Sequence, residues 1–457
     1  MCWTAFATAT CELARRAVVA VALTLLAAPA AGQVAERERP LSLADAVAEA
    51  AAGNPDLSIA LARSHVAAAD ALGAGAFRWP QLQVEGGITR STDPVFAFGA
   101  RLRQGVFAAE DLALEALNDP GAVQDVSAIL GVRWEALSPA RWASLSAARR
   151  QAEAAGWLAV RARQATVLGA RLLYYDAVRA LARSDAALAA ETAAGATLDR
   201  FTRRQERGLL TDADRLQAEA ELAAARAARL DAERRAREAR QALGVFLGWE
   251  AGILPLPTDT LAAPAEFAAA DFDLARRADL RALDAALAAR AADARGARLA
   301  FLPAIDAFGQ RATRGSEALA FEDEDWTLGV SLRWTAFAGL SRLADRRRAD
   351  EALRIARLER DHALRAARAQ IDAADHAVEA TAAGVAAALA ARRAATAAAE
   401  LLRRRFEEGL ATPAELLAAE ARRSGMQSGA IEALAAYQVA RATAEFARST
   451  SDSEDRP

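Results

Sequence analysis

The chain contains no lysine: its 57 basic side chains are all arginine, set against 60 acidic ones for a formal net charge of −3. No basic excess is available to hold nucleic acid. Cysteine is nearly missing as well, with Cys2 and Cys11 both inside the first thirty residues. The rest of the chain can therefore form no disulfide, Cys-metal centre or thiol nucleophile, and Cys11 precedes the apolar run where a lipoprotein's acylated residue would follow it. The three histidines are His65, His362 and His376. The last two stand about 21 Å apart along a helix, too far to share a metal, and all three read as ordinary helix residues. There is no phosphate-cradling glycine-rich loop, HExxH or GxSxG motif. Nothing in the sequence favours an enzyme, a cofactor or a metal. Past residue 30 no run reaches eighteen apolar residues, so a membrane could be crossed only by strands.

Alanine is what the chain has in excess. It dominates a 53% hydrophobic fraction and points to helices packed closely side by side rather than around bulky core formers. The first thirty residues read as a secretory signal: Arg15 and Arg16, the apolar run AVVAVALTLLAA, then Ala28-Pro29-Ala30 as a small-x-small cleavage site. Its removal takes Arg15, Arg16 and Glu12, leaving 55 basic and 59 acidic residues, a balance of −4.

The remainder is a two-fold repeat. GLLTDADRLQAEA, from Gly208, returns as GLATPAELLAAEA, from Gly409, at an offset of 201. Pro55-Asp56-Leu57 matches Ala278-Asp279-Leu280 and Trp79-Pro80-Gln81-Leu82 matches Leu302-Pro303-Ala304-Ile305 at 223, whereas the segment from Val132 to Leu137 matches that from Leu332 to Phe337 at 200. The first half thus holds 23 extra residues between Leu82 and Val132, including DPVFAFGARLRQGVF, which the pattern assigns to a larger external loop. Each half runs in the same order: a helical segment, a strand pair, then a long helical hairpin.

The strands are read from period-2 alternation. In QLQVEGGIT, Leu82, Val84, Gly86 and Ile88 alternate with Gln81, Gln83, Glu85 and Thr89. In WTLGVSLRWT, Trp326, Leu328, Val330, Leu332 and Trp334 alternate with polar or small residues that include Arg333; Leu130, Val132 and Trp134 face away from Arg133 and Glu135. The strand from Ile305 fits least well, because Phe308 falls on the polar side. A single such strand suits a soluble sheet. Four together, with terminal aromatics on the apolar face and charge on the other, read as wall strands of a transmembrane barrel whose lumen face carries Glu85, Arg133, Glu135 and Arg333. Four strands cannot close a barrel, so the chain is expected to supply a share, and three copies would give twelve strands. The helical runs, about 141–207 and 341–408, are uninterrupted by proline and approach ~100 Å at ~1.5 Å per residue. Leu168, Leu172, Tyr175 and Val178 give the first of them a packing face.

The repeated phrase reads as a tight helix-helix turn. Gly208 and Gly409 suit the left-handed position past a helix end, Thr211 and Thr412 suit N-caps, and Asp214 and Glu415 complete capping boxes. Leu209 and Leu410 are apolar residues duplicated at an exposed tip, which marks them as contacts for another protein.

These residues carry a resemblance. The paired R-x-x-x-G-L-x-T tips (Arg204 to Thr211, Arg405 to Thr412), the LSLADAVAEAAAGNPDL start and the Trp-Pro-Gln-Leu and Phe-Leu-Pro strand openings resemble the TolC family of outer membrane efflux proteins, over about Leu41 to Phe446. The resemblance implies a mainly α fold with a transmembrane β part: a homotrimer with a twelve-stranded barrel in outer membrane lipid and a helical barrel crossing the periplasm of a Gram-negative bacterium. It implies an exit duct served by a periplasmic adaptor (membrane fusion) protein and an inner-membrane transporter of RND, ABC or MFS type, which supplies the energy. It carries the adaptor-docking role over to Gly208, Leu209, Thr211, Gly409, Leu410 and Thr412, and makes Asp214 and Glu415 candidates for holding the aperture shut. The family pattern has a second acidic residue nine positions after the second tip glycine; here Ala418 stands there, so a cation-binding ring would rest on Glu415 alone.

The expected organisation is a signal at 1–30, a first repeat at 31–242 with strands and external loop at about 81–137 and its tip at 208–211, and a linker at 243–272 wrapping the helical barrel at mid-height. A second repeat follows at 273–447, with strands at about 304–337 and its tip at 409–412, then a disordered tail at 448–457. Two other readings are a periplasmic coiled-coil adaptor and a structural coiled coil. The first should show one hairpin with lipoyl-like flanks, and the second leaves four alternating strands unexplained.

Overall fold

The computed structural model describes residues 37–264, 272–317 and 323–450. The expected signal, part of the linker and residues 451–457 of the expected tail lie outside these. The described chain starts with a short strand, β1 (Arg37–Leu41), and two helices, α1 (Leu43–Gly53) and α2 (Pro55–Ala74). Strand β2 (Gln81–Ser91), helices α3 (Pro94–Arg103) and α4 (Leu114–Asn118), and strand β3 (Val123–Leu137) follow. The first hairpin is α5 (Pro139–Gln205) and α6 (Asp212–Phe246). Strand β4 (Ile253–Pro257) leads to the second repeat: α7 (Ala278–Leu299), β5 (Ala304–Gly315), β6 (Asp323–Arg333), α8 (Ser341–Glu407) and α9 (Pro413–Arg448).

Alanine, arginine, glutamate and leucine are strong helix formers, and α5 and α8 run for 67 residues each without an interior proline. At ~1.5 Å per residue each is a rod of about 100 Å. Within the described helices proline sits only in the first turn, in α2, α3, α5 and α9. The helices form one curved layer in the order α6, α5, α9, α8, with α2 continuing α6 and α7 continuing α9 along the same rows. The two rods of each repeat therefore differ in construction, one continuous and the other built from two pieces end to end.

The joins between the pieces are specific. Asn54, 3% exposed, accepts from Leu57 N at 2.9 Å to cap α2 and donates from Nδ2 to Phe246 O at 2.9 Å, taking an otherwise unpaired carbonyl at the end of α6. Gly248 has φ +78, and a Cβ there would stand 2.5 Å from Gly53 O, so only glycine lets the two helix ends meet. In the second repeat Arg277 does the equivalent work, donating from Nη1 to Ala447 O at 3.0 Å while its Nη2 holds Asp279 at 2.6 Å.

Alanines fill much of the core. One cluster at the middle of the layer joins Ala46, Ala50, Ala170, Ala177, Ala236 and Ala239 to Leu41, Val178, Leu243 and the fully buried Tyr174. A second joins Ile371, Val378, Val385, Tyr437, Ala440 and Ala444. Burying one methyl contributes only about 0.8 kcal/mol, so the layer depends on the number of close contacts. Of the packing face read from the sequence, Val178 is buried, whereas Leu168, Leu172 and Tyr175 are half-buried. The smaller Ala170 and Ala177 occupy the tightest positions because they let the neighbouring backbones approach.

The main sheet is antiparallel, in the order β2-β3-β5-β6, with Leu82 opposite Val132, Val132 opposite Gly309 and Gly309 opposite Leu328. Among the described residues its two outer strands, β2 and β6, each have one unpaired edge. A second, parallel pair, β1 with β4, was not expected. Its β4 lies within the segment read as a linker, where Pro255 and Pro257 mask the strand; proline is tolerated because a two-stranded ribbon has only edge strands. The pair is fastened to α6 by Arg240, which donates to Pro255 O at 2.7 Å and Glu38 Oε1 at 2.8 Å.

Candidate functional site

The structure turns the repeated phrase into two matching tips. At the end of α5, Gly208 takes φ +72 and Leu209 N donates to Arg204 O at 2.9 Å; at the end of α8, Gly409 takes φ +79 and Leu410 N donates to Arg405 O at 2.7 Å. These six-to-one bonds close the last turns and swing each leucine outward. Leu209 is 66% exposed and Leu410 65%. The next helices begin with the expected capping boxes. Asp214 N donates to Thr211 Oγ1 at 3.2 Å and Thr211 N to Asp214 Oδ2 at 3.0 Å. The second tip has the same pair, Glu415 N to Thr412 Oγ1 at 3.3 Å and Thr412 N to Glu415 Oε2 at 2.7 Å.

The caps also set the charge of both carboxyls. Hydrogen bonds from the Thr211 side chain and backbone hold Asp214 below its ordinary pKa, and those from the Thr412 backbone and side chain do the same for Glu415. Both stay ionised at neutral pH at the mouth of the helical layer. Ala418, one turn into α9, supplies no second carboxyl.

What ties the tips together was not read from the sequence. Phe201 of α5 stacks on Phe406 of α8 with ring centroids 5.2 Å apart, and both are buried with Ala218 and Leu416. Arg204 lies over the Phe406 ring at 4.6 Å and donates to Glu407 O at 2.6 Å, so the arginine of the first tip motif clasps the second hairpin. The available signal was two phenylalanines placed shortly before the tip glycines in segments otherwise rich in alanine and arginine. Their unequal distances from the glycines hid the pairing.

At the other end of the layer the sheet presents two unlike faces. Leu82, Val84, Ile88, Leu328, Val330 and Leu332 form an exposed apolar face. Tryptophans edge it, and two are held identically in the two repeats: Trp134 Nε1 donates to Arg78 O at 3.2 Å and Trp334 Nε1 to Phe301 O at 3.1 Å. Amphipathic aromatics at the rim of an apolar band mark a membrane-water boundary. β6 stops at Arg333, so Trp334 follows the strand rather than ending it.

The opposite face carries Glu85, Arg133 and Arg333 as expected. Arg333 pairs with Asp306, Glu85 accepts from Gln83 at 2.6 Å, and Arg314 bridges Asp125 at 3.2 Å and Asp325 at 3.7 Å. Glu135 occupies a bulge between Trp134 and Leu137 and bonds Arg141 at 3.2 Å, placing it at the junction with α5. The bulge keeps Trp134 and Leu137 on the same apolar face. Phe308, the exception to the alternation, does lie on the charged face. It covers Gly329 directly across the strand pair, where a Cβ would sit 2.5 Å from its ring. Among the described residues no cluster of His, Cys, Asp or Glu suits a metal ion, and no helix is long and apolar enough to cross a membrane.

One sheet with an apolar and a charged face is thus continued by long helices to a pair of exposed tips. Residues 46–248 match the family described as Outer membrane efflux protein. The matched stretch runs from α1 to just past α6, which is one repeat. No curated protein matches the chain in sequence. Among solved structures the fold is similar to a membrane protein from Pseudomonas aeruginosa, with a TM-score of 0.75, 22% identity, and coverage of 89% of this chain and 93% of that one. It is similar to the outer membrane protein VceC of Vibrio cholerae (TM-score 0.73, 19% identity, 89% and 96% covered). It is also similar to the CmeC outer membrane channel of Campylobacter jejuni (TM-score 0.75, 17% identity, 89% and 85% covered). By fold, then, the chain is mainly α with a small β-sheet and is similar to these outer membrane channels.

Proposed function

We propose that the chain is one third of an outer-membrane exit duct of a tripartite export system. The observation that carries this is the four-stranded sheet with an apolar outer face and two open strand edges, set on a layer of helices about 100 Å long. Open edges are not tolerated in lipid, so β2 of one copy pairs with β6 of the next until three copies close a twelve-stranded barrel. The same three-fold ring joins the free sides of α8 and α6 into a helical tube across the periplasm. Substrates delivered by an inner-membrane transporter pass through the tube and barrel to the outside, and the duct contributes a path rather than energy or chemistry. Glu85, Arg133, Glu135 and Arg333 line the barrel lumen or its junction with the tube.

Leu209 and Leu410, with the Gly and Thr residues that shape their turns, dock a periplasmic adaptor. Asp214 and Glu415 ring the aperture that the adaptor opens. A periplasmic adaptor reading of this chain itself is disfavoured by the two hairpins and the barrel-type sheet. Leu209→Asp and Leu410→Asp test the docking assignment: the paired variant should lose adaptor-dependent export, measured as drug or dye retention, while the protein still assembles in the membrane. Normal export from the double variant would reject it.

A further inference from the structure

The first repeat holds 23 extra residues between Leu82 and Val132, and the fold does not leave that connection outside as a free loop. Its helix, α3, lies across the charged, lumen-side face at the outer end of the sheet. Asp93 starts the helix by accepting from Phe96 N at 2.6 Å. Ala97 and Ala100 are buried against Val123, which shares that face with Asp125. Gln104, 2% exposed, places its Nε2 2.8 Å from Gln124 O, 3.0 Å from Asp125 Oδ1 and 3.3 Å from Gly315 O, tying the end of α3 to β3 and β5. Gly105, with φ +69, then turns the chain so closely that a Cβ would stand 3.1 Å from Asp323 Oδ2 of β6. The helix is thus anchored across the sheet, on the side away from the apolar belt.

Among the described residues its other side is largely uncovered, apart from Phe98, which packs edge-on against Phe107 of the same connection with ring centroids 5.0 Å apart. Val95, Phe98 and Leu102 are 81%, 37% and 48% exposed. Helical geometry puts Val95 and Leu102 opposite Ala97, Ala100 and Gln104, with Phe98 beside them. Lipid cannot cover this stripe, because it lies on the lumen-side face. What that face meets in a closed ring is its own copies.

We propose that three α3 helices converge inside the outer mouth of the barrel, Val95, Phe98 and Leu102 toward the axis, to form an apolar constriction that gates the exit. This rests on the trimeric barrel proposed above. A ring of apolar side chains breaks the water column and resists ions and polar solutes without a covalent or charged lock. The Gln104 anchor lets the stripes part without freeing the connection from β3. The duct then has two gates: the aperture at the periplasmic tips and this one at the exit.

The test places a cysteine below the constriction. Gln83→Cys lies on the lumen face of β2, eight residues from its outer end, and Cys2 and Cys11 precede the expected cleavage site. A polyethylene glycol maleimide added to intact cells should label Gln83→Cys slowly. Adding Val95→Ser and Leu102→Ser should speed labelling at least about tenfold, as expected for a wetted pore. In a separate variant, Leu102→Cys should form disulfide-linked pairs within the trimer on oxidation. Equal labelling rates in a trimeric protein, or no linked pairs, would overturn this proposal alone. A protein that isolates as a monomer would overturn the barrel reading and the proposal with it.

Discussion

Replacing Gly248 with alanine should break the helical layer where α6 hands over to α2. Two costs add. A non-glycine residue at φ +78 pays about 1–2 kcal/mol for the left-handed conformation. The new Cβ would also lie 2.5 Å from Gly53 O, a backbone atom that cannot rotate away, and overpacking of that kind costs about 1–3 kcal/mol. Gly208→Ala is the matched control, because its φ is +72 but a Cβ there meets nothing within 4 Å. It should bear only the conformational cost. The contrast is read by hydrogen exchange of the amides near each substitution in the assembled protein. The extra ~1–3 kcal/mol at Gly248 corresponds to local opening roughly five- to a hundredfold more frequent than at Gly208. If Gly248→Ala opens its neighbourhood no more than Gly208→Ala opens the tip, the tight end-to-end contact is not what joins α6 to α2.

Phe406→Ala should loosen the two tips together, since it removes a buried ring stacked on Phe201 and clasped by Arg204; a loss of about 3–5 kcal/mol would appear as rapid proteolysis near both Gly208 and Gly409. Cleavage confined to the second tip would refute the shared cluster. Acid should weaken the tip caps. Asp214 and Glu415 have folded-state pKa values below their ordinary ones, so their contribution is present above about pH 4 and is lost as pH falls through the depressed values. Exchange at the first turns of α6 and α9 should accelerate there in the parent and not in a Thr211→Ala, Thr412→Ala variant. Tyr174→Phe removes a hydroxyl that donates to Asp259 at 2.6 Å and lies 3.0 Å from Leu41 O, where burial and Asp259 push its pKa up to about 12. A stability loss of about 1–3 kcal/mol at mid-layer is expected by thermal unfolding.

The repeat, the hairpin turns and the four wall strands were legible because each rests on local chemistry. Gly208 and Thr211 form their bonds within a few residues of themselves, and Leu82 to Ile88 declare their face by alternation alone. The features that stayed hidden depend on partners far along the chain. β4 reads as a proline-rich linker until Arg37–Leu41, more than two hundred residues earlier, pairs with it. α3 carries a helix signal, with Asp93 before Pro94, but nothing near it reveals that Gln104 reaches β5 and lays the helix across the charged face of the sheet. Phe308 broke the expected alternation because its partner is the bare Gly329 across the strand, a relation set by register rather than by sequence neighbours.

In the proposed duct, four strands per chain are completed by two further copies in the outer membrane. The most direct measurement is the mass of the detergent-purified protein by light scattering, with the detergent subtracted, after separation of inner and outer membranes. Three chains per particle, recovered from the outer membrane fraction, are expected. A soluble monomer or dimer would make the alternating strands an ordinary soluble sheet and contradict the duct.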